Sequence, residues 1–173
     1  MEDRAALLAL GYWEFDQSPE GIRAVLDKPG CRIAGADLIR DFHAALRAET
    51  KPVKHTFPEG EVTFSSTGEM TILYWHEGQA RAMAGQTPEA IRLFRHSLKP
   101  AEENFGGWNE YVSASIAFLS DDLAALQNER KALKSYGRIV SQNLTVVDRL
   151  VRCFGQSYQE AYSAARCSEA PGN

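Results

Sequence analysis

Gln17-Ser18-Pro19-Glu20-Gly21-Ile22-Arg23 returns further along the chain as Gln86-Thr87-Pro88-Glu89-Ala90-Ile91-Arg92. The two mismatches, Ser for Thr and Gly for Ala, exchange close chemical relatives. The offset is 86 − 17 = 69 residues, about two periods of a paired-helix repeat of ~34 residues. In each copy a hydroxyl residue precedes a proline: a capping side chain, then a residue whose missing N–H costs nothing at the first helical position. The duplicated phrase therefore predicts a helix start in each of two like-built helical hairpins.

Apolar spacing predicts helices to either side. Leu7, Leu8, Tyr12 and Phe15 mark a first helix that closes at Asp16-Gln17, and the helix opened by Ser18-Pro19 ends near Lys28-Pro29-Gly30. Leu38, Ile39, Phe42, Ala45 and Leu46 lay one apolar stripe along a helix over 37–49. Pro52, Pro58 and Gly60 make 50–67 an irregular connection with a short hairpin about Pro58-Glu59-Gly60. Ser66 and Glu69 have capping-box spacing for a helix through Ala84, stopped by Gly85. Thr87-Pro88 opens the next helix, with Ala90, Ile91, Phe94 and Leu98 inward. Further helices follow over 108–119, after Ser120-Asp121, around Leu144 to Phe154, and over 157–165.

The expected fold is all-α, with antiparallel helical hairpins stacked as a short right-handed solenoid of roughly seven to nine helices. One domain spans 1–168 and a frayed tail 169–173. With 44% apolar residues in 173, the chain has material for a packed core. Its 23 acidic and 19 basic residues are interspersed, for a net charge of −4, which argues against nucleic acid as a partner. No apolar run reaches the length needed to cross a bilayer. Cys31, Cys153 and Cys167 are odd in number and form no C-x-x-C pair, so reduced thiols in a cytoplasmic protein are expected. The opening Met1-Glu2-Asp3 lacks the basic and apolar regions of an export signal.

Tyr74 to Leu98 resembles a tetratricopeptide repeat: Gly78 takes the first small position, Ala90 the second, Phe94 the aromatic and Ser97 the next small site. Advancing by 34 places Trp108, Val112 and Ala124 in register, with Asn128 where an aromatic is expected; Gly11, Gly21 and Val25 form a more degenerate copy. The phrases Tyr74-Trp75-His76-Glu77-Gly78 and Trp108-Asn109-Glu110-Tyr111-Val112 also resemble uncharacterised bacterial helical proteins of this size, a resemblance that brings no function with it. The repeat resemblance implies a non-catalytic protein–protein interaction module: an adaptor, chaperone or regulator holding a peptide or helix in a concave groove. By register, the groove positions are Trp75, Gln79, Met83, Asn109, Ser113 and Ile116. The apolar residues of this set serve equally well as core, and the polar ones as ordinary surface.

No cofactor is implied. His76-Glu77 begins an H-E-x-x-H helix, but Ala80 stands where the second zinc ligand belongs. The rival readings are a small enzyme with a pocket of dispersed residues near His76, Glu77 and Arg81, and a structural dimer or immunity-type blocker. Tyr12, Trp13 and Phe15 cover more than one side of the first helix, which points to a homodimer contact.

Overall fold

The structure, a computed structural model, describes residues 4–168; the expected frayed tail lies outside them. These residues hold ten α-helices and one two-stranded antiparallel sheet. Helix dominates as the periodicity predicts, and the connection at 50–67 contains the sheet. The chain parts into two compact units, Met1–Arg81 and Ala82–Asn173.

In the first unit, α1 (Arg4–Leu8) and α2 (Tyr12–Asp16) replace the single first helix, because Gly11 takes an extended backbone between them. The next difference reaches the duplicated phrase itself. Residues 17–21 form a turn, and α3 (Ile22–Leu26) begins only after Gly21. A Cβ on Gly21 would stand 2.2 Å from the Phe15 carbonyl oxygen and 2.3 Å from that of Glu14. The turn therefore folds back onto the backbone of α2, where no side chain fits. In the second copy α6 (Thr87–His96) starts at once, with Pro88 in its first turn and Ala90 fully buried. The two copies fold differently, so the expected pair of matching hairpin starts is corrected.

α4 (Arg32–Glu49) starts five residues before the expected Asp37, and it buries the small residues Gly35 and Ala36. Its Leu38, Ile39 and Phe42 join Leu7, Tyr12, Phe15, Ile22, Val53, Met70 and Leu73 in one apolar core. β1 (Val53–Phe57) pairs antiparallel with β2 (Gly60–Ser65), with His55 opposite Val62 and Phe57 opposite Gly60. Alternation turns Val53, His55 and Phe57 inward, while Lys54 and Glu61 pair across the outer face at 2.7 Å.

The chain then enters α5 (Thr71–Met83) by a route the expected capping box does not describe. Gly68, at φ +77, passes so close to the end of α4 that a Cβ would meet the Leu46 carbonyl oxygen at 2.2 Å. Thr67 Oγ1 accepts from the Glu69 N–H, and His43 Nε2 on α4 accepts from the Met70 N–H at 2.9 Å. A histidine 27 residues away in sequence thus satisfies a donor that a helix start leaves orphaned.

In the second unit α6, α7 (Trp108–Leu119), α8 (Leu123–Lys134), α9 (Ser141–Arg152) and α10 (Tyr158–Ser163) each pack on their sequence neighbour. Ala90, Phe94 and Ser97 of the resemblance are buried, as is Val112. Ala124 is exposed, so it is not the small seat its register implies, and Leu126 and Leu133 supply the inward face of α8. Asp122, rather than Ser120-Asp121, caps α8 by accepting from the Ala125 N–H. Ser157 and Glu160 form a capping box on α10.

Cys153 and Cys167 are joined by a disulfide across 14 residues, while Cys31 is free and half-buried. This corrects the expectation of reduced thiols: α10 doubles the chain back and carries Cys167, fully buried, against the end of α9. Closing a loop of this length restricts the unfolded chain, so Cys153→Ser should cost about 3 kcal/mol. Urea unfolding with and without a dithiol reductant checks this; the reductant should lower the midpoint of the parent and leave the variant unmoved.

Candidate functional site

α5 is buried on most of its circumference, with Leu73, Trp75, Glu77, Gly78, Ala80, Arg81 and Ala82 all inside. Ile72, His76, Gln79 and Met83 are half-exposed. Their spacing of four, three and four places them on one helical face. This open stripe combines two apolar side chains, an amide and an imidazole.

A buried acid fixes the imidazole. Asp16, at the end of α2, has a side chain with no solvent exposure, and its Oδ1 lies 2.6 Å from His76 Nδ1. The other carboxylate oxygen accepts from Gln17 Nε2. Burial, followed by the charge of Asp16, pushes the Tyr12 hydroxyl well above its ordinary pKa, so it remains a proton donor beside the acid. A quarter of the His76 side chain reaches solvent (24%). Sequence reading misses Asp16, and the one available signal is an acid placed among Tyr12, Trp13 and Phe15.

The expected cluster of His76, Glu77 and Arg81 divides in two. Arg81 Nε donates to Glu77 Oε1 at 2.8 Å, and its Nη2 donates to Asp37 Oδ1 at 3.0 Å. Burial works against the guanidinium charge, yet these two carboxylates hold its pKa above the usual value. Asp37 also accepts from Arg40, which pairs with Asp41, itself paired with Arg4. Glu77 and Arg81 are thus tied into an ionic chain linking α5, α4 and α1, while His76 answers to Asp16 alone among these acids.

Of the six residues implied by the repeat resemblance, Gln79 and Met83 lie on the open stripe of α5, while Trp75 is 3% exposed. Asn109, Ser113 and Ile116 share one half-buried face of α7. Asn109 has a structural task there: its side chain accepts from the Lys99 N–H at 2.9 Å and donates to the Lys99 carbonyl at 2.8 Å. Trp108 Nε1 donates to the Ser97 carbonyl at 2.8 Å, and Asn104 accepts from the Asn109 N–H. The stretch between α6 and α7 is stitched down at both ends.

The aromatic trio read as a dimer contact is spent within the first unit. Phe15 and Tyr12 belong to the core, and Trp13 stacks on His55 at 5.3 Å and meets Phe57 edge-on at 4.8 Å. The β-hairpin covers what sequence reading leaves at the surface. Large exposed apolar side chains occur elsewhere: Phe105 (80%) and Ile139 (86%) stand on 3-10 turns, Phe105–Gly107 and Gly137–Val140, that pack together.

Among the described residues no group of three or more His, Cys, Asp and Glu is placed to hold a metal ion. No helix among them is long and apolar enough to cross a membrane. No family model, no curated protein and no solved structure matches the chain.

Proposed function

We propose that the protein is an interaction module of the helical-hairpin kind that holds a peptide or helix of a partner protein. The observation that carries this reading is the open stripe of α5, where Ile72 and Met83 offer apolar surface and Gln79 offers an amide. Such a mixture suits a helix or extended segment laid along a groove. Ser113 and Ile116 give α7 a half-open face of similar chemistry. Docking on α5 would use Gln79 and Met83, with Trp75 supporting the helix that carries them; docking on α7 would use Ser113 and Ile116, with Asn109 supporting that helix. The disulfide favours action in an oxidising compartment over the reduced cytoplasm expected from cysteine count.

A second reading, a blocker that acts through its outer surface, is favoured by the exposure of Phe105 and Ile139. One experiment separates the two. A photo-reactive residue is placed in turn at Gln79, Ser113 and Phe105, with exposed Asn128 as control. Docking on the α5 face gives discrete adducts from Gln79 and docking on the α7 face gives them from Ser113, whereas a blocker gives them from Phe105 alone. Against the partner captured in this way, Met83→Asp should weaken binding at least about tenfold. Adducts no more frequent than at Asn128 would remove the docking reading.

A further inference from the structure

The four histidines occupy different chemical situations. His43 is sealed at 2% exposure and spends Nε2 on the Met70 N–H, so burial first and the Arg47 charge second push its pKa down to about 4. His55 faces Glu14 at 3.5 Å, but that carboxylate is half in solvent (48%), where water screens the pair. His96 is exposed at the end of α6. His76 pairs at short range with a carboxylate that is completely withdrawn from water. A carboxylate accepts and does not donate, so the proton of the neutral ring sits on Nδ1 and the Nε2 lone pair lies on the opposite edge. Positive charge arising on that ring is stabilised by an acid that solvent does not screen.

We infer that His76 is a nucleophilic site that takes an acyl group from a small activated ester at Nε2 and passes it to water, with Asp16 as the positioning residue. The substrate class is an aryl ester or thioester with a short apolar acyl chain, because Ile72 stands one turn away on the same open face. Gln79, one turn further on, offers an amide N–H to the carbonyl oxygen. The Nε2 lone pair adds to the acyl carbon, the new N–C bond forms, and the bond to the leaving group breaks. The aryloxide or thiolate departs with that electron pair and takes its proton from solvent. The Nδ1–H bond to Asp16 holds the ring while it carries the positive charge. Water then adds to the acyl carbon, the N–C bond breaks with its electrons returning to Nε2, and the carboxylic acid loses its proton to solvent. The net change is ester plus water to acid plus phenol or thiol, with no oxidant or reductant. This chemistry goes beyond docking, and its failure leaves the interaction reading in place.

The probe is p-nitrophenyl acetate with the full chain, read as nitrophenolate release and as the site of acetylation after an acid quench. His76 should carry the first acetyl group of the four histidines, and His76→Phe should lower release at least about tenfold near neutral pH. Asp16→Asn should lower it comparably and shift the pH–rate profile, a change that loss of packing alone does not produce, and Asp16→Glu should restore part of the rate. If Asp16→Asn does not fold, His76→Phe and the order of acetylation in the parent decide. Equal labelling of His76 and His96, or release unchanged in His76→Phe, overturns the inference.

Discussion

Replacing Phe15 by alanine is expected to destabilise the protein by about 3–5 kcal/mol, a loss of the size found when a large buried ring is deleted. Phe15 has no exposed surface and lies parallel to Phe42, with ring centroids 3.9 Å apart and an interplanar angle of 4°. The pair joins α2 to α4 at the centre of the first core, surrounded by residues that themselves have little room to collapse. Phe15→Leu, which keeps much of the volume, should recover part of the loss. Urea unfolding followed by circular dichroism measures both variants. A cost below about 1 kcal/mol for the alanine would mean that the stack is not a keystone of this unit.

Acid should destabilise the protein by about 3 kcal/mol through His43 alone. Its pKa falls from 6.5 to about 4 on folding, by burial first and then by the Arg47 charge, against the pull of Glu69. Above pH 6.5 both states are neutral at this ring and the full contribution is present. As pH falls towards 4 the unfolded chain takes up a proton that the folded chain refuses, so stability drops by about 1.4 kcal/mol per unit. Below that value both states are protonated, and the proton on Nε2 abolishes the bond from the Met70 N–H. His43→Gln keeps an acceptor and removes the titration, so its stability should lose this slope between pH 6.5 and 4. Unfolding midpoints of parent and variant across that window give the comparison; parallel curves would sink the assignment.

Much of the second unit is legible in the sequence because its signals are local. Pro88, Pro100, Gly106-Gly107 and Gly155 punctuate a 3.6-residue apolar period, and the helices at 87–96 and 108–119 follow from it. The first thirty residues are less legible. Whether Ser18-Pro19 starts a helix there depends on carbonyl oxygens of α2 that crowd Gly21, a tertiary fact that a capping pattern does not contain. The candidate site divides along the same line. Gln79 and Met83, named by the register of the repeat resemblance, fall on the half-exposed face of α5, while Asp16 is missed because its partner lies 60 residues on. Asn109 has the residue type of a recognition side chain, and its bonds to the backbone of Lys99 become visible only when the loop before α7 is folded. The disulfide escapes an argument from cysteine number, since parity is silent about which two thiols α10 brings together.

The crowding at Gly21 makes the two look-alike heptapeptides non-interchangeable parts. Grafting the earlier one into the later position puts a glycine inside a helix, a penalty of about 1 kcal/mol that the remaining turns absorb. Grafting in the other direction drives a methyl group to within 2.2 Å of a main-chain oxygen, and the turn must open or α2 must retreat. Kinship of sequence here runs one way: the glycine version is the permissive template, and the alanine version commits its bearer to a helix.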